Sequence, residues 1–75
     1  MTQAQKMREQ GYLTILDVAK ALGVHVTSIY RLLNLGRVES IRVGRARYVN
    51  RASVIAYYKG IDEKTAALFA DLPVT

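Results

Sequence analysis

Between Arg31 and Arg51 the chain carries six arginines, Arg31, Arg37, Arg42, Arg45, Arg47 and Arg51, against a single acid, Glu39. The whole formal net charge of +5 falls in that window, and the rest of the 75 residues balances to zero. Guanidinium is a planar fork of N–H donors that fits phosphate oxygens and the guanine edge better than a point charge does. A polyanionic partner is the expectation. Other chemistry is hard to build from these residues. There is no cysteine and one histidine, His25, whereas a metal centre needs several ligands. No nucleophile stands at a suggestive spacing from a base, and no glycine-rich phosphate loop is present. The expectation is therefore a protein that is not an enzyme and has no cofactor, no metal and no small-molecule ligand.

Whatever positions the arginines must do so within one small core, because 75 residues cannot support two. Without disulfide or metal, stability has to come from helix packing or self-association. The polar stretch Met1 to Gln10 is unlike a secretion signal, and the apolar runs are too short to span a membrane. These features lead to the expectation of a cytoplasmic protein.

Residues 1–11 have weak periodicity and read as a flexible N-terminal tail, with a helical turn as the alternative. Thr14 with Asp17 three residues later forms a capping box, Val18, Ala19 and Leu22 share a face, and Gly23 ends a first helix over 15–22. After a short connection, Val26, Ile29, Leu32 and Leu33 form a second apolar stripe that stops at Gly36. The other side of this second helix carries Thr27, Tyr30, Arg31 and Asn34 within an arc of about 100°. Two helices joined through a glycine link, the second with a polar outer face, match a helix-turn-helix.

Ile41-Arg42-Val43 and Arg47-Tyr48-Val49 are β-prone and flank Gly44-Arg45-Ala46, read as a three-residue hairpin loop. Sequence leaves open whether Tyr48 or Val49 faces the core. Asn50 caps a third helix over 51–59, which Gly60 and Ile61 are expected to close as a left-handed stop with its apolar partner. A fourth short helix starts at Asp62, carries Ala66, Ala67, Phe69, Ala70 and Leu72, and ends before Pro73. The architecture predicted is mainly α with a small β-hairpin: a winged helix-turn-helix of three core helices plus a short C-terminal helix. Its divisions are a tail over 1–11, a DNA-binding domain over 12–60 and a C-terminal helix and tail over 61–75.

These residues resemble the excisionase-type winged helix-turn-helix, a relative of the MerR DNA-binding domain. The likeness is carried by Tyr12-Leu13-Thr14, Ala19, Leu22-Gly23-Val24, Ile29-Tyr30-Arg31-Leu32-Leu33, Gly36-Arg37-Val38, Ile41-Arg42-Val43-Gly44-Arg45 and Asn50-Arg51-Ala52-Ser53-Val54. It implies that the second helix enters the major groove and that the wing reaches the adjacent minor groove or backbone. His25 departs from the serine usual at that N-cap, and Leu16 and Leu35 stand where polar residues are usual.

On this reading the recognition helix offers His25, Thr27, Ser28, Tyr30, Arg31 and Asn34, and the wing offers Arg42, Arg45 and Arg47. Arg37 and Arg51 are candidate phosphate contacts. Leu16 and Leu35, with Tyr57 and Phe69 taken as surface aromatics, are candidates for a protein contact, by the fourth helix folding back or between copies. One such domain reads few base pairs, so several copies on adjacent sites are expected. The function that follows is an excisionase-like factor that bends double-stranded DNA, with an integrase or recombinase as a partner, in the bacterial nucleoid. A transcriptional regulator of the same fold is the alternative; a small phage terminase subunit or a protein-interaction module is the reading from another class.

Overall fold

A computed structural model describes residues 2–71. The chain runs α1 (Gln3–Glu9), β1 (Tyr12–Thr14), α2 (Ile15–Leu22), α3 (Val26–Asn34), β2 (Ser40–Val43), β3 (Ala46–Asn50), α4 (Arg51–Lys59) and α5 (Glu63–Ala70). The strands form one antiparallel sheet in the order β1-β3-β2. This is the winged helix-turn-helix that the sequence predicts, with α1 and β1 added at its amino end.

Local chemistry sets the limits of α2. Thr14 Oγ1 accepts from the Asp17 amide at 3.0 Å, and the Asp17 carboxylate accepts from the Thr14 amide at the same distance. At the other end Gly23 adopts φ +68°, a left-handed conformation that a Cβ disfavours, and the Val24 amide reaches back to the Ala19 carbonyl at 3.0 Å. That tight reversal sends the chain directly into α3. Ile29 and Leu33 of α3 then pack with Val18 and Ala19 of α2, Leu13, Val49 and Val54 in one buried cluster.

Four expectations need correction. Residues 3–9, within the stretch expected to be a flexible tail, form α1: Thr2 caps it in a box with Gln5, and Met7 is buried. The hairpin loop has two residues, since Val43 pairs with Ala46. Gly44 takes φ +62° and no other residue type has positive φ, the pattern of a type II′ turn whose twist suits the strands. Gly60 is right-handed at φ −81° and Ile61 is 64% exposed, so the third helix of the sequence, α4, has no left-handed stop. Hydrogen bonds from the Ile61 and Asp62 amides to the Tyr58 carbonyl turn the chain instead.

The fourth correction concerns Phe69. It is fully buried, at 0% exposure, and stacks on Tyr58 with ring centroids 6.1 Å apart. Ala66 and Phe69 lie one turn apart on α5 and both face in, which folds this helix back against α4. Burial also raises the Tyr58 phenol above its ordinary pKa, and neighbouring Tyr57 adds to the shift. The predicted end of this helix at Leu72 and Pro73 lies outside the described residues. Both Tyr48 and Val49 are buried; Val49 belongs to the core cluster, and Tyr48 lies on the opposite side of β3.

Candidate nucleic-acid interface

The polar face of α3 is open. Thr27, Ser28, Tyr30, Arg31 and Asn34 are all exposed, while Ile29 and Leu33 fix the opposite side in the core. His25 is the N-cap: its Nδ1 accepts from the Thr27 amide at 3.2 Å and also meets the Thr27 hydroxyl. The imidazole thus does the capping work of the more usual serine at the amino end of α3.

The wing is the β2–β3 hairpin. Arg42 and Arg47 are register partners, so they stand directly opposite one another on one face of the ribbon. Arg47 shares that face with Val49, two residues along, which is in the core. The wing therefore continues the core-facing surface beyond the core, with arginine in place of valine. Arg45 occupies the turn and is exposed.

Between wing and helices runs a groove of about 370 Å³. Arg42, Arg45 and Arg47 contribute to one side of it, and Thr14, Leu16 and Tyr30 are among the residues that line the rest. Sequence reasoning could not have placed Leu16 here, because the approach of α2 to the wing depends on the sheet and not on spacing along the helix. Leu35, 62% exposed, lies about 140° around α3 from Tyr30 and does not line this groove.

Among the described residues, the one ion pair joins Arg8 to Asp17, and Arg31, Arg37, Arg42, Arg45 and Arg47 make no ion pair. Glu39, the acid in the arginine window, joins none of them; its amide donates to Ser53 Oγ at 2.9 Å. Arg51 is different. Its guanidinium donates to the carbonyls of Phe69 at 2.7 Å and Ala70 at 3.0 Å, satisfying the last turn of α5. This arginine was a candidate phosphate contact by sequence; its place is at the join of α4 and α5. No group of three or more metal-ligating side chains occurs among the described residues, and none of their helices is long and apolar enough to cross a membrane.

An open polar face on the second helix of a helix-turn-helix, flanked by a wing of uncompensated arginines, defines a DNA-binding module. Comparison with known proteins agrees. A family described as a helix-turn-helix domain matches residues 12–61, and the chain belongs to it. It is similar to a probable excisionase of Saccharopolyspora erythraea, 35% identical over 54 residues, which make up 72% of this chain and 55% of that protein. The chain thus spans about half the length of the curated relative it matches. No solved structure matches.

Proposed function

We propose that the chain is a sequence-specific binder of double-stranded DNA that acts, like an excisionase, as a bending accessory factor in recombination, with several copies on adjacent sites. One observation carries this reading: Arg31 of α3 and Arg42, Arg45 and Arg47 of the wing lack acidic partners among the described residues, and Tyr30, next to Arg31, lines the same groove as the wing arginines. Arg31 and Asn34 read base edges in the major groove. Thr27, Ser28, Tyr30 and His25 contact the flanking backbone or thymine methyls, and Arg37 takes a phosphate beyond the end of the helix. Wing arginines displace counterions from phosphates, and adjacent copies together bend the duplex so that distant sites meet. The likeness to a probable excisionase supports the recombination role over other uses of the fold, and an integrase or recombinase is then the partner.

Footprinting on the DNA flanking its own gene tests the reading. Tandem direct repeats beside an attachment site are expected. A palindrome across a promoter would instead make the protein a transcriptional regulator.

A further inference from the structure

Leu16 is a large apolar side chain left 53% exposed in the first turn of α2, and its surroundings are strongly basic. It lines one groove with Tyr30, Arg42, Arg45 and Arg47. Arg42 and Arg47 face each other across the ribbon with no carboxylate between them among the described residues. Like charges so placed repel, and an anion lodged between them turns that cost into two charge-assisted hydrogen bonds. The amino end of α2 borders the same groove and brings the positive end of a helix dipole. The acid of that first turn, Asp17, is already held by Arg8 through two contacts of 2.9 Å. A ligand here should be anionic where it meets the wing and apolar where it meets Leu16 and the Tyr30 ring. A nucleic-acid strand has that alternation, in its phosphates and the carbon faces of its sugars.

We infer that this groove seats one sugar–phosphate strand of duplex DNA, with a phosphate between Arg42 and Arg47 and the adjoining deoxyribose packed on Leu16 and Tyr30. The inference rests on the DNA-binding reading and deepens it. It takes Leu16 out of the self-association surface that sequence suggested and makes it a direct backbone contact. It also explains why an exposed leucine stands beside three arginines in one groove.

The test compares the full chain with its Leu16→Glu and Leu16→Ala variants on a short duplex of arbitrary sequence at low salt, by fluorescence anisotropy, alongside sedimentation and thermal melting. Because Leu16 is half exposed, both variants should melt like the parent. Leu16→Glu places a carboxylate against the phosphate and should weaken binding by at least about tenfold, and Leu16→Ala should weaken it less. In an Arg42→Ala, Arg47→Ala background the Leu16→Glu loss should shrink, since the phosphate is no longer held there. Leu16→Glu binding as tightly as the parent, or a loss accompanied by a change in sedimentation, overturns the seat and leaves DNA binding intact. A parent chain that binds no duplex overturns the DNA-binding reading and the seat together.

Discussion

The junction of α1 with α2 and the wing both present arginine, and they use it in opposite ways. At the junction Arg8 meets Asp17 through Nε and a terminal nitrogen, both at 2.9 Å, while Asp17 also accepts from Thr14. In the wing Arg42 and Arg47 face each other with no acid between them among the described residues. Charge paired inside the chain ties elements together; charge left unpaired on one face is available to a polyanion. Arg51 shows that a third use, binding the carbonyls at a helix end, can lie within the same stretch of sequence.

The largest effect should come from the core that holds both regions in place. Phe69→Ala empties a fully buried site and should destabilise the domain by about 3–5 kcal/mol, measured by urea unfolding. Loss of less than about 1 kcal/mol would mean that α5 is not integral to the fold. On the DNA side, Arg31→Ala should cost about 1–3 kcal/mol on the preferred site and little on unrelated duplex. Arg45→Ala should weaken both alike. If both variants lose specificity equally, helix and wing do not divide the labour.

Smaller effects belong to the junction. Asp17→Asn removes the ion pair and weakens the capping box, and should lower stability by about 1 kcal/mol without changing DNA affinity at fixed salt. The same group predicts an acid response. Burial pushes the Asp17 carboxyl up, but the hydrogen bond from Arg8, those from the Thr14 backbone and hydroxyl, and the Arg8 charge outweigh it, so its pKa in the fold lies below normal. Its stabilisation is therefore fully present above the unfolded carboxylate range and is lost as pH falls through the depressed value. Melting temperature in acid should fall more steeply for the parent than for Asp17→Asn. Parallel curves would assign the acid response to other groups.

How much of this was legible in sequence depended on whether the deciding chemistry was local. The ends of α2 and the start of α4 were readable because Thr14, Asp17, Gly23 and Asn50 act on backbone within a few residues. α1 was missed because it is polar and buries Met7 alone, leaving no stripe to detect. β1 has three residues, too few to show alternation, and exists through its pairing with β3. Phe69 was misplaced because α5 exposes Leu68 beside it, so apolar content did not mark the inner face. The arginine window singled out a basic stretch but could not separate Arg51, whose carbonyl partners lie 18 and 19 residues away, from the arginines of the wing.

The central claim, that the wing arginines are held for phosphates and not for the fold, is tested most directly by the salt dependence of DNA binding. Replacing Arg42, Arg45 and Arg47 together by alanine should make the slope of log affinity against log salt shallower by about 3 while the melting temperature holds or rises. An unchanged slope, or a domain that no longer folds, would contradict it.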